Sequence, residues 1–345
     1  MAVFDRTLLT ERMRRAWRHG YRLALAWTAV HGALRVLMVE QAAFLALCRA
    51  RPDLWAERRY RPPATLRELQ AELDDRARSI EVVIIGRLDA SAHGHIEAVV
   101  ERFSIRLSPH LPVALVDLVG FSKLGPIQQL ARLSGLEKSL CRAEVTLARA
   151  GLGVAPMRTT TGDGFYVWTP AATDDRTVRL LALVLVTFVH FAAAGRDAGF
   201  DPGELKATLG IGACFSLHRI AQQTPQDDTY VVGAVTVELA RLMSACRPGQ
   251  ILLGTGHQHR YLDSWRQAIT TLNGVLTSAD ATLGFGLQAW LTGRGDAPDA
   301  GDRYVVRAKH GWTYTAVNLA GEVVDAGEGA RVRLGVGAGA ARSAA

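Results

Sequence analysis

The chain is poor in cysteine, in lysine and in uninterrupted apolar runs. Its four cysteines (Cys48, Cys141, Cys214, Cys246) are scattered, and none stands in a Cys-x-x-Cys pair. That spacing excludes a disulfide scaffold and a thiolate zinc site, and it suits a reducing, cytoplasmic setting. Only four of the 40 basic residues are lysines, so the positive charge is carried almost wholly by guanidinium groups. The longest apolar stretches fall short of a membrane span. Leu23–Cys48 is interrupted by His31, Arg35 and Glu40, and Leu180–Ala194 carries Thr187 and His190. A spanning helix needs roughly 20 apolar residues, so both read as helices of a soluble protein. Arg12, Arg14, Arg15 and Arg18 come too thickly for a secretory leader.

What is present is a globular composition. Hydrophobic residues make up 49% and charged residues 21% of 345 positions, which excludes a disordered chain and provides for a sizeable core. The net charge of +7 invites a nucleic-acid reading, but its distribution argues otherwise. Residues 1–59 hold 11 Arg against 5 acidic residues, which leaves the rest of the chain close to neutral. The surplus marks an N-terminal segment whose basic, Trp-containing helix offers a surface to a membrane or a partner helix.

Periodicity predicts an alternating chain. Residues 1–59 read as helical, Pro62-Pro63 stops the pattern, and Thr65-Leu66-Arg67-Glu68 has the form of a capping box for a helix to about Arg78. A short strand is expected at Val82–Ile85 and a helix at 94–107. Beyond Pro109 and Pro112 an apolar strand, Val113–Val116, ends on Asp117. Helix is expected over 126–150, and strands Val154–Thr160 and Phe165–Trp168 flank a Thr-Gly-Asp-Gly turn. A helix over 174–195, a strand Ala207–Ser216, a polar loop Gln222–Asp228, a helix at 234–246 and a strand Ile251–Leu253 complete a mixed α/β pattern. Tyr304–Leu334 reads as short strands separated by Gly, and 335–345 as a disordered tail. The expected domains are a helical extension (1–100), a catalytic domain (101–260), an accessory region (261–334) and the tail.

Two aspartates carry the chemistry. Asp117 closes a buried strand and is followed by Leu118-Val119-Gly120-Phe121-Ser122, a turn whose backbone amides can approach a ligand because Gly120 has no side chain. Asp163 sits at the tip of the hairpin Thr159–Gly164. If the two strands are neighbours, both carboxylates share one sheet edge and can hold one or two Mg²⁺ or Mn²⁺ ions, which in turn bind a triphosphate. The plainer alternative makes Asp163 a turn residue and Asp117 a helix cap. His93/His95 and His257/His259 form His-x-His pairs without a third ligand, and Arg294-Gly295-Asp296 reads as a surface turn.

The ordered blocks Val113–Leu124, Thr159–Trp168, Leu209–Cys214 and Gly233–Gly254 resemble the class III nucleotide cyclases. The resemblance covers about residues 110–254 and implies a ferredoxin-like α/β core. It further implies that Asp117, Asp163 and the carbonyl of Leu118 bind two divalent cations, Mn²⁺ or Mg²⁺. The amides of Gly120, Phe121 and Ser122 would hold the β- and γ-phosphates, with Lys309 a further candidate. Arg241, eight residues after Gly233, falls where the family places a transition-state arginine. A homodimer with composite sites follows from the same resemblance.

Departures from the family pattern bear on the substrate. The two base-selecting positions hold Thr159 and Tyr230, matching neither purine pattern, and Val237 replaces a family asparagine. A tyrosine ring fills space a purine needs and leaves room for a pyrimidine. The combination resembles the bacterial pyrimidine cyclases of antiphage signalling, whose cyclic product activates a companion effector. The expected reaction is UTP to 3′,5′-cyclic UMP and pyrophosphate. CTP, a divergent adenylate cyclase and a weakly catalytic nucleotide sensor are the alternatives.

Overall fold

The computed structural model describes residues 5–30, 32–51, 53–56, 58–83, 89–169, 175–198, 203–219, 228–283, 285–292, 304–307, 311–325 and 331–335. It divides into two compact units, Met1–Pro109 with Phe215–Val232, and His110–Cys214 with Gly233–Ala345.

In the first unit, helix α1 (Arg6–Trp17) starts from Asp5, whose carboxylate accepts from the Leu8 amide at 2.9 Å. Strands β1 (Arg22–Val30) and β2 (Ala33–Glu40) then form an antiparallel hairpin around Gly32, whose φ is +77°. Helices α2 (Gln41–Ala50), α3 (Asp53–Ala56) and α4 (Pro63–Leu73) precede strand β3 (Ala77–Val83), which pairs with β2. Helix α5 (Ala90–Glu101) follows, capped by Asp89.

The helical expectation for residues 1–59 is therefore corrected, since 22–40 is a hairpin. Its sheet is covered on both faces. Leu23, Leu25, Leu37 and Val39 pack with α2 and α4, while Trp27, Leu34, Val36 and Met38 pack with α1 and α5. A strand buried on both sides is apolar throughout, so the period of two that would reveal it is erased. The expected capping box at Thr65 is corrected too. α4 begins two residues earlier with Pro63 in its first turn, where a missing N–H costs nothing.

The second unit takes strand β4 (Ile105–Leu118) from His110 onward, and the strand is longer than expected, with Pro109 and Pro112 inside it rather than before it. Helix α6 (Pro126–Arg149), hairpin strands β5 (Met157–Thr160) and β6 (Gly164–Trp168), helix α7 (Arg176–Ala198) and strand β7 (Leu205–Arg219) follow. In the sheet these strands lie in the order β7-β4-β6-β5. That is the fourth-first-third-second order of a ferredoxin-like βαββαβ unit, so the mixed α/β expectation is met. α6 and α7 cover one face, with Leu136, Leu140 and Leu147 against Leu180–Val186 in the core. Among the described residues α7 is the one helix long and apolar enough to cross a membrane, and Leu180–Val186 are fully buried inside the protein.

Strand β8 (Asp228–Gly233) pairs with β7, and helix α8 (Ala234–Ala245) leads to β9 (Ile251–Gly254), which runs parallel to β7. The described parts of 261–334, expected as an accessory region, extend this same sheet. Helix α9 (Leu262–Leu283) packs on the core, and β10 (Phe285–Thr292), β11 (Tyr304–Arg307) and β13 (Arg331–Leu334) all pair with β12 (Thr313–Asp325). β12 in turn pairs antiparallel with β9. Most of the expected polar loop Gln222–Asp228, the turn Arg294–Asp296, Lys309 and the tail beyond 335 lie outside the described residues.

Candidate functional site

The site begins with the alternation of β4. Ala114, Val116 and Leu118 belong to the core beneath α6 and α7. Successive side chains point to opposite faces, so Asp117 emerges on the other face, at the end of the strand, and remains only 9% exposed. β6 sets Gly164 opposite Asp117. A Cβ at 164 would stand 2.0 Å from the Val116 carbonyl oxygen, so only glycine lets the hairpin lie this close.

The hairpin turn then delivers Asp163 to the same edge. The Thr161 amide donates to the Gly164 carbonyl at 2.9 Å, with Gly162 at φ +103° between them. The Leu118 amide donates to the Asp163 carbonyl at 3.0 Å, and the Thr161 hydroxyl donates to Asp163 Oδ1 at 3.3 Å. The two expected aspartates are thus neighbours on one sheet edge.

A third charged group joins them. Lys206 of β7 places Nζ 3.2 Å from Asp117 Oδ2 and donates to the Met243 carbonyl of α8 at 3.5 Å. Burial, with Asp163 beside it, pushes the Asp117 carboxyl from 3.8 up to about 6, against the pull of Lys206. Two hard-oxygen carboxylates that repel each other, one of them desolvated, fit a divalent cation such as Mg²⁺ or Mn²⁺, which would relieve the repulsion.

The segment after Asp117 turns sharply. The Val119 amide is occupied by the Glu204 carbonyl at 2.9 Å. Gly120 then adopts φ +69° and opens a 3-10 turn over Phe121–Lys123, closed by Lys123 donating to the Gly120 carbonyl at 3.0 Å. Among the described residues no acceptor meets the amides of Gly120, Phe121 or Ser122. A Cβ at Gly120 would meet nothing within 4 Å, so the left-handed backbone is what calls for glycine there, and it forms a concave run of donors.

α8 lies on the same face of the sheet as Asp117. Gly210 and Gly212 of β7 admit it: a Cβ at Gly210 would be 2.7 Å from Val235, and one at Gly212 would be 3.0 Å from it. Val235, Leu239 and Leu242 are buried, whereas Val237 and Arg241, one helical turn apart, are exposed. Among the described residues Arg241 forms no ion pair with either aspartate.

Thr159 of β5 pairs with Tyr166 of β6, which pairs with Leu115 of β4. This row lies on the Asp117 face, two residues along the strands. Tyr166 donates its hydroxyl to the Thr236 carbonyl of α8 at 3.1 Å, and burial raises its pKa. Tyr230 is half-buried in β8, within the stretch that belongs to the first unit.

Sequence reasoning missed Lys206 and Tyr166. Both had a signal. Lys206 is one of four lysines in an arginine-rich chain, and Leu205–Ile211 alternates so that Lys206 shares a face with Thr208 and Gly210. Tyr166 lies two residues after Gly164, on the same face of β6.

No family model matches the chain, and no curated protein matches it in sequence. Solved structures similar to it include the guanylyl cyclase Cya2, at 16% identity over 65% of this chain and 95% of that one, with a TM-score of 0.41. The adenylyl cyclase CyaB from P. aeruginosa is similar at 15% identity over 66% of this chain and 99% of that one, with a TM-score of 0.39. The guanylate cyclase domain of RhGC from Catenaria anguillulae, solved with GTP, is similar at 16% identity over 64% and 98%, with a TM-score of 0.39.

Proposed function

We propose that the chain is a nucleotide cyclase whose catalytic unit is His110–Cys214 with Gly233 onward, and that its substrate is a pyrimidine nucleoside triphosphate, UTP first. The observation that carries this reading is the convergence of Asp117 and Asp163 beside the amide-rich turn at Gly120. Carboxylates and free backbone donors on one edge are what a metal-bound triphosphate needs.

Asp117, Asp163 and the Leu118 carbonyl would hold the divalent cations, Mn²⁺ or Mg²⁺. When bound, these cations lower the pKa of the ribose 3′-hydroxyl and neutralise phosphate charge. Gly120, Phe121 and Ser122 donate their amides to the β- and γ-phosphates and fix the α-phosphorus for in-line attack. The bond from O3′ to the α-phosphorus forms, the bond from that phosphorus to the bridging oxygen breaks, and pyrophosphate leaves. The 3′ proton passes to water. Lys309 is a further candidate for the triphosphate.

Arg241 stabilises the developing charge from the second copy of the chain, a role its exposed position on α8 favours. The active form is therefore a homodimer with composite sites. Of the two base-selecting positions, Thr159 belongs to this unit and Tyr230 to the first, and the cyclic product acts on a downstream effector in antiphage signalling. Nucleic acid has no part in this reading. A second reading, nucleotide sensing with little turnover, is favoured by the exposed Val237 where the family carries asparagine.

The test incubates the purified chain with each of the four NTPs and Mn²⁺, and identifies products by mass spectrometry. Cyclic UMP is expected, with turnover abolished in Asp117→Ala and Asp163→Ala. Full activity in either variant would sink the assignment. Binding of nucleotide without any cyclic product would establish the sensor instead.

A further inference from the structure

The Lys206 ammonium occupies a place that neither a structural salt bridge nor a substrate contact explains well. A surface ion pair contributes little, but this one is largely withdrawn from solvent. Its Nζ is 3.2 Å from Asp117 Oδ2, is held also by the Met243 carbonyl, and belongs to a side chain only 21% exposed. The alternation of β7 sends Lys206, Thr208 and Gly210 to the α8 face, and Thr208 is itself fixed by its hydroxyl donating to the Leu239 carbonyl at 3.2 Å. The stem therefore rises from a rigid strand beneath a packed helix. The charge is not a mobile lysine that happens to reach an acid.

The electrostatic consequence is specific. Asp117 and Asp163 together carry two negative charges, and Lys206 returns one. A cation entering the pair meets a site of net charge −1, with an ammonium already on one oxygen of Asp117. Resting on the cyclase reading above, we propose that Lys206 is a positioning residue for the carboxylate pair. It fixes Asp117 in the metal-free protein and weakens the site for divalent cations, so that tight loading waits for the cation that arrives with the triphosphate. Asp117 would hold the cation with its Oδ2 kept by Lys206. Arginine could not substitute freely, because a planar fork would take both carboxylate oxygens. This accounts for a lysine here in a chain that elsewhere prefers arginine.

The experiment measures Mn²⁺ binding to the nucleotide-free chain by calorimetry and by the loss of free Mn²⁺ EPR signal, for wild type, Lys206→Met and Lys206→Gln. For charges a few ångströms apart in a water-like dielectric, removing the ammonium should tighten binding of a divalent ion by about tenfold. Both variants should show that gain, and adding Asp117→Ala should abolish it. Equal affinity in wild type and both variants overturns the role of Lys206 and leaves the cyclase reading standing. No Mn²⁺ binding by any of the proteins, with or without UTP, overturns the metal site itself. Circular dichroism identifies a variant that has not folded, and the second substitution then carries the test.

Discussion

Replacing Asp117 by asparagine should make the metal-free protein more stable while removing its chemistry. Burial and the neighbouring Asp163 raise the Asp117 carboxyl from 3.8 to about 6, with Lys206 pulling the other way. Each pKa unit is worth about 1.4 kcal/mol, so ionised Asp117 costs the native state roughly 3 kcal/mol at pH 8. Asparagine removes that cost, in which the lost Lys206 attraction is already counted, so the net gain is about 3 kcal/mol.

The sign follows from linkage. Below the unfolded value near 3.8 the carboxyl is protonated in both states and no penalty exists. Between that value and about 6 the unfolded chain releases its proton first, so stability falls as pH rises. At pH 4.5 only about 1 kcal/mol of the penalty remains, and the gain from asparagine should shrink to about that. Urea denaturation of wild type and Asp117→Asn, with a chelator present, at pH 8 and pH 4.5 measures both. A variant no more stable than wild type at pH 8, or equally stabilised at both pH values, refutes the reasoning. Added Mn²⁺ should stabilise wild type alone, since only it binds the ion in its native state.

Gly164→Ala should be among the most damaging conservative changes in the chain. Its Cβ would stand 2.0 Å from the Val116 carbonyl oxygen and 2.9 Å from the Asp117 Cα, and both are backbone. A loss of at least about 3 kcal/mol is expected from the forced separation of β4 and β6, read from urea midpoints, and a loss below about 1 kcal/mol contradicts it. The cysteines should titrate unequally. Burial pushes Cys48 up to about 11 and both Cys214 and Cys246 up to about 12, whereas Cys141 is exposed on α6. One thiol per native chain should react with an aromatic disulfide reagent at pH 8, and four after denaturation. More than one fast thiol in the native protein would show that the buried ones open readily.

Elements with local signals were legible in the order of amino acids alone. α6, α7 and α8 follow from apolar periodicity, and β4 and β6 from short apolar runs. The Gly162 turn follows from its composition, and with it the presence of Asp117 and Asp163 at element ends. The order of amino acids revealed little where both faces of an element are covered. β1 and β2 are buried between two layers of helices, so their apolar runs carry no period, and the Gly32 turn was the only remaining mark.

The rest follows from contacts between distant parts of the chain. That β12 pairs with β9 and draws residues 261–334 into the main sheet depends on partners far apart in sequence. That Lys206 meets Asp117 depends on β7 lying beside β4, and on which face each residue takes. A strand fixes the face of its side chains by alternation, but only the pairing of strands fixes their neighbours. A charge 89 positions away in the chain therefore becomes part of the site only when the sheet closes.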